Sequence, residues 1–214
     1  LLVLLQPDLG TTSVILSGIA AVFILTYARG KDILILLALI IPVLLSFYFY
    51  FPHAKERINT WISPEKNSSD QNFQVMQTRI SLGAGGIWGD GYGKSVQKYH
   101  YLPEAVGDSI FAVIGEEFGA VGATVTLLLI LTLSGRLIYI SSLMREPYQK
   151  GVLGGVGVII FVQTFLNAGS SLGAIPFTGV PLPLISHGST SIILTMGMLG
   201  LCAQISGSKI LTNT

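Results

Sequence analysis

Apolar residues along this chain form long runs that are interrupted by shorter polar segments. Residues 11–28 and 33–51 contain no Asp, Glu, Lys or Arg, and the 58 residues 151–208 contain none either. A helix that crosses the hydrocarbon core of a bilayer needs about 20 predominantly apolar residues. Each of the first two runs is therefore long enough for one membrane span, and the third is long enough for two.

The runs predict five full spans with two longer connections. Pro176, Pro181 and Pro183 divide the longest run, because proline interrupts a helix. We predict a large polar loop at 52–108, which holds 12 of the 23 charged residues, and a proline loop at 172–186. The predicted spans are A at 11–28, B at 33–51, C at 109–134, D at 151–171 and E at 187–206.

Composition supports the same class. Only 11% of the 214 residues are charged, whereas soluble domains carry about 25%. The net charge of +1 leaves no basic surplus of the kind that nucleic-acid binding requires. Cys202 is the single cysteine, which excludes an intramolecular disulfide and a cysteine-rich metal site. The predicted fold is all-α: one membrane domain over 1–214, built as a polytopic transmembrane helix bundle.

Basic residues in the short connections predict the orientation. The short loops between spans A and B and between spans C and D, together with the tail, carry Arg29, Lys31, Arg136, Arg145, Lys150 and Lys209. On the opposite side, residues 1–10 and the proline loop carry no Lys or Arg. Because short cytoplasmic loops are enriched in Lys and Arg, we predict that loop 52–108 and the proline loop lie together on the extracytoplasmic side.

The glycine-rich segment, residues 83–95, resembles a phosphate-binding loop only superficially. The spacing G-x-x-x-x-G-K-S places a glycine where this chain has Trp88, and no strand precedes the segment. We predict a compact loop whose glycines adopt positive φ. An alternative left open is that its backbone N–H groups meet a lipid-linked phosphate.

Residues 94–108 combine cations, tyrosines and carboxylates directly before span C. Lys94 and Lys98 with the tyrosines could form an interfacial belt. Asp108 could be the N-cap of span C. Alternatively, Asp108 is a general base at the membrane surface, and Lys94 or Lys98 binds phosphate. The residues alone favour the first two interpretations.

Glu116 and Glu117 fall about two turns into span C. A bare carboxylate inside a bilayer costs a few kcal/mol, so we expect at least one of them to be neutral, paired or exposed to a wet cavity. Possible partners from the large loop are Arg79, Lys94 and Lys98. A structural ion pair and a catalytic role both remain open.

Three further polar residues lie at predicted helix boundaries. Asp8 is predicted to cap span A. Ser186 and His187 lie where span E begins, but a histidine beside serines is not a catalytic triad without a geometric partner. No H-x-x-x-H or C-x-x-C metal spacing occurs in the sequence.

Four segments, taken together, resemble one family. They are Gln6–Thr11, Ser95–Lys98 with Tyr101–Glu104, Asp108–Gly119 and Thr178–Ser186. In their residues and their order these segments are similar to the SEDS family of bacterial cell-wall polymerases. Within that family they resemble the cell-division branch more than the elongation branch. The resemblance covers essentially the whole chain. It implies a C-terminal fragment, with spans A to E as helices six to ten of a ten-helix fold and residues 1–5 as the end of helix five.

The resemblance implies a peptidoglycan glycosyltransferase that polymerises lipid II into glycan strands at the outer face of the bacterial cytoplasmic membrane. Its implied partners are lipid II and the nascent glycan strand, a class B penicillin-binding protein transpeptidase, other division proteins and membrane lipid. The family's essential aspartate maps to Asp108. In two places the chain departs from the family: Val106-Gly107 replace His-Thr before this aspartate, and residues 187–191 replace Tyr-Gly-Gly-Ser-Ser.

The implied mechanism is a single, inverting displacement in which Asp108 accepts the proton of the attacking hydroxyl. The departing diphosphate would be neutralised by cationic side chains or by a divalent cation, Mg or Mn. The expected substrate-binding residues are Arg79, Lys94, Gln97, Lys98, Glu104, Glu117, Ser186 and His187. The proline loop and Ser186 would form the opposite wall of the groove.

Two other functions compete with this one. A transporter that flips lipid II without bond chemistry could use the two glutamates and the glycine-rich spans as a conducting path. A scaffold for division proteins would need no chemistry. The clustering of polar candidates in the outer loops favours chemistry at the membrane surface.

Overall fold

All regular secondary structure in the described part of the chain is helical. The computed structural model describes residues 8–27, 31–33, 35–36, 38, 42, 52–62, 70–100 and 107–212. Its helices are α1 (Leu9–Thr26), α2 (Pro52–Ile62), α3 (Asp70–Ala84), α4 (Gln97–His100), α5 (Ile110–Ser142), α6 (Pro147–Ser171) and α7 (Ser189–Thr212). The predicted all-α fold is confirmed.

Three of these helices are long and apolar enough to cross a membrane. They are α5, α6 and the part of α7 from Ser189 to Gly207, and the shorter apolar stretch Gly10–Thr26 lies in α1. They correspond to predicted spans C, D, E and A. Most of span B, 33–51, lies outside the described residues. The chain is a multi-pass membrane protein, as its apolar runs predicted.

The predicted connection between spans C and D was too long. α5 continues past residue 134 to Ser142, so Arg136 is helical, and the turn before α6 comprises only residues 143–146. The Arg136 guanidinium lies 5.7 Å from the ring centroid of Tyr139, one helical turn further on. A single long cationic side chain does not end a helix, because its charged head can extend along the surface toward water.

The polar loop 52–108 contains helices α2, α3 and α4, and two side chains of α2 bind the proline loop. Trp61 Nε1 donates to the Gly173 carbonyl at 2.8 Å. Arg57 Nη1 donates to the Thr178 carbonyl at 3.3 Å. Residues 52–62 are therefore docked onto one end of the bundle.

Small residues let α6 approach its neighbours closely. Gly154 faces Leu25 of α1 and Ser141 of α5, and the Ser134 hydroxyl of α5 donates to the carbonyl of Gly157 at 2.8 Å. Such residues bring helix backbones together where no hydrophobic driving force acts between helices. α6 consequently lies at the centre of the described bundle, between α1 and α5.

The start of α1 and the proline loop lie at the same end of the bundle. Asp8 caps α1, as predicted, and accepts a hydrogen bond from the Thr11 backbone N–H at 3.1 Å. A Cβ on Gly10 would lie 2.7 Å from the Thr178 carbonyl oxygen. The predicted grouping of these segments on one side is therefore confirmed for the residues that the structure describes.

A break in α5 at Gly119 joins this helix to the glycine-rich segment. Gly119 has φ 68° and ψ −171°, a combination that is essentially restricted to glycine. In a regular helix the N–H groups of residues 120 and 121 would bind the carbonyls of residues 116 and 117. Here those two N–H groups donate to the carbonyls of residues 86 and 87, at 2.9 and 3.2 Å. The two carbonyls accept instead from the N–H groups of residues 90 and 91, both at 3.0 Å.

The break divides α5 into two unequal parts. Residues 120–142 alone extend about 34 Å at 1.5 Å per residue, which exceeds the roughly 30 Å hydrocarbon core. Glu116 and Glu117 belong to the shorter part before the break, which packs against α3 and the glycine-rich segment. They lie about two turns into span C, as predicted, within the helix Ile110–Ser142 that is long and apolar enough to cross a membrane.

Replacing Gly119 with alanine should unfold this junction. The new Cβ would collide with the backbone of Ile87 and Gly89 and would occupy a glycine-only conformation. We expect Gly119→Ala to lower the free energy of unfolding by about 3 kcal/mol or more, measured by thermal or denaturant unfolding of the purified protein in detergent.

Gly135→Ala is the matched control. Gly135 lies on the same helix, and a Cβ there meets nothing within 4 Å. It should leave stability unchanged or raise it by about 0.5–1 kcal/mol. Equal stability of the two variants would show that the break does not depend on glycine.

Candidate active site

Asp108 lies in a turn directly before α5, against the proline loop. It is partly buried, and a Cβ on Gly179 would come within 3.3 Å of its Oδ2 atom. Gly179 has φ 68°, so glycine provides both the backbone conformation and the space for the carboxylate. The N-cap residue of α5 is Ser109, not Asp108. The capping interpretation of Asp108 was wrong.

The backbone on both sides of Asp108 is held by two buried polar side chains. Asn167 of α6 donates from Nδ2 to the carbonyls of Asp108 and Val180, both at 2.8 Å. Ser186 donates to the Gly107 carbonyl at 2.8 Å. These bonds hold the turn and the proline loop together and restrict where the Asp108 carboxylate can lie.

Ser186 is a structural contact between the two loops. It is 2% exposed, and its oxygen also accepts from the Leu182 N–H at 2.6 Å. Two residues before Ser186, Leu184 has φ 68°, which is uncommon for a residue other than glycine. Such a conformation persists only where the surrounding structure enforces it. The burial of Leu182 in the core and the bonds of Ser186 provide that enforcement.

A cleft beside the proline loop contains two arginines. It is lined by Arg57, Thr60, Trp61, Val75, Arg79, Ser170, Gly173, Ile175 and Phe177. The guanidinium of Arg79 lies against Gly173, where a Cβ would come within 2.7 Å of Nη2. Arg57 reaches the carbonyl of Thr178, the residue before Gly179. Of the two, only Arg79 was among the predicted site residues.

Sequence reasoning missed Arg57 because nothing in its local pattern distinguishes it. It is one of six Lys or Arg residues in loop 52–108 and directly follows Lys55 and Glu56. Its contact with Thr178 joins residues 121 positions apart. Only the tertiary structure brings this guanidinium close to the turn that holds Asp108.

The two predicted lysines belong to a different group of residues. Lys98 Nζ lies 3.9 Å from Glu117 Oε1, and the Glu117 side chain is 5% exposed. The exposed Lys94 side chain lies beside Gly91, whose Cβ would be 3.7 Å from Nζ. The expected pairing of a span C glutamate with a cation of the large loop is therefore confirmed for Glu117 and Lys98. Arg79 lies apart from this pair, in the cleft.

Glu116 is satisfied by hydrogen bonds alone. It is 2% exposed, and its Oε2 accepts from the hydroxyls of Ser81 and Ser95 at 2.8 and 2.7 Å. Its Oε1 accepts from the N–H groups of Val96 and Gln97 at 2.9 and 3.4 Å. An ionised carboxylate is an acceptor only, and here four donors surround it.

The glycine-rich segment is the compact loop that was predicted. Four glycines, 86, 89, 91 and 93, have positive φ. The N–H groups of residues 89, 90, 91 and 94 all donate to protein carbonyls. These four amides are therefore occupied and do not form a cradle for phosphate.

Of the remaining predicted residues, the structure describes two and leaves two outside the described ranges. His187 is exposed, and Gln97 is partly buried on α4. Glu104 and Val106 lie outside the described residues. Within the described part of the chain, no group of three or more His, Cys, Asp or Glu side chains could hold a metal ion. A divalent cation remains a prediction.

Comparison with known proteins identifies the family. The sequence model of the FtsW/RodA/SpoVE family, described as cell cycle protein, matches residues 1–210. The chain is 36% identical over 204 residues to the probable peptidoglycan glycosyltransferase FtsW of Dichelobacter nodosus, covering 94% of this chain and 51% of that protein. It is 34% identical over 209 residues to the peptidoglycan glycosyltransferase MrdB of Escherichia coli K12, covering 96% of this chain and 56% of that protein.

A solved structure has the same fold. It is described as "Structural coordination of polymerization and crosslinking by a peptidoglycan synthase complex", and one of its chains matches with a TM-score of 0.74 and 29% identity. The match covers 97% of this chain and 58% of that one. The chain thus spans about half the length of the curated relatives that it matches. Together, the family match and the shared fold show that the chain belongs to the FtsW/RodA/SpoVE family.

Proposed function

We propose that this chain, within the complete fold of its family, carries the catalytic residue of a peptidoglycan glycosyltransferase that polymerises lipid II during cell division. The observation that carries the proposal is the fixed position of Asp108. Asn167 and Ser186 hold the backbone around this carboxylate, and Gly179, whose Cβ would come within 3.3 Å of Oδ2, leaves room for the carboxylate itself. The names of the relatives at 34–36% identity support the same activity.

In the proposed mechanism, Asp108 is the general base. It accepts the proton of the acceptor sugar's 4-hydroxyl while that oxygen attacks the anomeric carbon of the lipid-linked donor. The bond from this carbon to the diphosphate breaks in the same displacement, so the anomeric centre inverts. Diphosphate is a good leaving group and needs no strong general acid. A positioned base typically contributes about 10²–10⁴-fold to such a step.

Arg57 and Arg79 are the proposed partners of the departing diphosphate. Both line the cleft beside the proline loop, and Arg57 binds the residue that precedes Gly179. Guanidinium groups match phosphate oxygens in geometry and retain their charge. Lys98 is a weaker candidate, because its ammonium already lies near the buried Glu117.

The proposed setting is the bacterial cytoplasmic membrane, with the active side extracytoplasmic. Asp108 and the proline loop share one end of the bundle, while the basic turn with Arg145 connects α5 to α6 at the other. The excess of Lys and Arg in short cytoplasmic loops supports this orientation. We propose a class B penicillin-binding protein as the partner transpeptidase, together with other division proteins. The solved synthase complex that contains a related chain supports a partnership of this kind.

The features that favoured a lipid II transporter have structural roles in this chain. Glu116 has four donors from its own protein. Gly154 and Gly157 of α6 face side chains of the neighbouring helices. Glu116 and these two glycines are therefore engaged in contacts within the protein, and the names of the relatives support glycosyl transfer.

Replacing the proposed base tests the function directly. Asp108→Asn keeps the size of the side chain but removes a basic carboxylate. It should lower the rate of glycan-strand synthesis by about 10²–10⁴-fold, measured with purified lipid II and the full-length protein bound to its partner transpeptidase.

Asp90→Asn is the matched control, since Asp90 is an exposed carboxylate on the glycine-rich segment. Its activity should remain near wild type. Near-normal polymerisation by Asp108→Asn would refute the assignment of the base.

Replacing Arg57 tests the proposed diphosphate site. A hydrogen bond to a charged group contributes about 1.5–3 kcal/mol, so Arg57→Ala should lower kcat/KM for lipid II by about 10- to 100-fold. Arg57→Lys should restore only part of this loss, because lysine lacks the planar fork of arginine. Arg145→Ala, an exposed arginine of the turn 143–146, is the control and should have no effect. An Arg57→Ala variant as active as this control would exclude Arg57 from substrate binding.

A further inference from the structure

Each residue of the turn 107–109 is bound by a side chain from a different part of the molecule. The proline loop donates to the carbonyl of residue 107 at 2.8 Å. Asn167 of α6 donates to the carbonyl of Asp108 itself, also at 2.8 Å. Gln74 of α3 donates from Nε2 to the hydroxyl oxygen of Ser109 at 3.2 Å. Since these bonds reach three consecutive residues, the turn that carries Asp108 is held directly.

The amide of Asn167 joins the Asp108 backbone to the proline loop. Its Nδ2 atom donates to the carbonyls of Asp108 and Val180, both at 2.8 Å. Val180 directly follows Gly179, whose Cβ would come within 3.3 Å of Asp108 Oδ2. Asn167 is 1% exposed, and both of its partners are acceptors, so the contact requires a side chain with two N–H donors. One buried amide therefore fixes the distance between Asp108 and the proline loop.

Gln74 holds the turn where α5 begins. Its partner Ser109 is fully buried and is the N-cap residue of α5. Ser81 lies two turns further along α3, and its hydroxyl donates to the Ala112 carbonyl at 3.1 Å. α3 thus binds the start of α5 at two successive points. Of these two contacts, the one made by Gln74 lies next to Asp108 in the chain.

We propose that Asn167 and Gln74 are positioning residues: two side-chain amides, from α6 and α3, hold the turn 107–109 and so orient the Asp108 carboxylate. This inference rests on the proposed function. Neither amide transfers a proton, and both act through the residues that they bind. A base on a backbone held at three consecutive residues needs little reorganisation before it accepts the proton of the attacking hydroxyl.

Removing either amide should slow the chemical step and leave KM unchanged. Asn167→Ala leaves two carbonyls without their donor. A misplacement of about 1 Å at a catalytic group costs on the order of 100-fold in rate, so we expect kcat to fall by about this factor. Gln74→Ala removes one hydrogen bond between neutral groups at a partly buried position. It should lower kcat by about 5- to 10-fold.

Ser134→Ala is the matched control for stability. Ser134 is also fully buried, and its hydroxyl joins α5 to α6 through the Gly157 carbonyl at 2.8 Å. It lies beyond the break at Gly119, away from the Asp108 turn. This variant should have a lower melting temperature but a kcat near wild type. A kcat loss as large as that of Asn167→Ala would contradict the proposal, because the loss would then follow stability alone.

A double-mutant cycle tests whether the amides act through Asp108. Polymerisation of lipid II is measured for the full-length protein with its partner transpeptidase. The variants are Asp108→Asn alone and Asp108→Asn combined with Asn167→Ala or with Gln74→Ala. If the amides only orient the base, their removal should cost nothing further once the base is absent, and each double variant should equal Asp108→Asn. Losses that multiply would overturn the positioning role and leave the proposed function intact.

The Gln74 arm of the cycle guards against a folding defect. Because Gln74→Ala removes a single bond at a partly buried position, it carries the same test if Asn167→Ala does not fold. Failure of the proposed function has a different signature. Near-normal polymerisation by Asp108→Asn would refute the base itself, and the positioning role with it.

Discussion

The exchange of hydrogen bonds at Gly119 is the interaction on which the Asp108 end of this molecule depends. Four backbone bonds connect the break in α5 to the glycine-rich segment, and they replace the two bonds that a continuous helix would make across the same residues. No backbone group involved loses a partner, which is necessary for irregular backbone close to a bilayer. The break thus anchors the glycine-rich segment without an energetic penalty for unpaired polar groups.

This anchor determines where the charged side chains of α5 lie. It separates residues 120–142 of α5 from a shorter part that begins beside Asp108. Glu116 and Glu117 lie on this shorter part, where Glu116 accepts a hydrogen bond from Ser95 and Glu117 lies 3.9 Å from Lys98 Nζ. Glu116 is thus surrounded by protein donors, whereas Oε1 of Glu117 has no hydrogen-bond partner among the described residues.

A second set of contacts joins the Asp108 turn to the rest of the bundle. Asn167, buried near the end of α6, binds the backbone on both sides of the interface between the Asp108 turn and the proline loop. Arg57 of α2 donates a hydrogen bond to the proline loop at Thr178, the residue before Gly179. The candidate site is therefore assembled from α2, the start of α5, α6 and the proline loop.

The sequence by itself determined the membrane class, the all-α fold and most of the spans, because apolar runs of sufficient length are a local property of the chain. Its motifs indicated the family and singled out Asp108. Two interpretations failed where a local signal was ambiguous: Arg136 was assigned to a loop, and Asp108 was considered as the N-cap of span C. Only the tertiary structure decided that Arg57 reaches Thr178, that buried Ser186 binds Gly107 and that Glu116 binds Val96. These contacts join residues 20 to 121 positions apart, and hydrogen bonding over such separations depends on how helices pack, which no periodicity along the chain encodes.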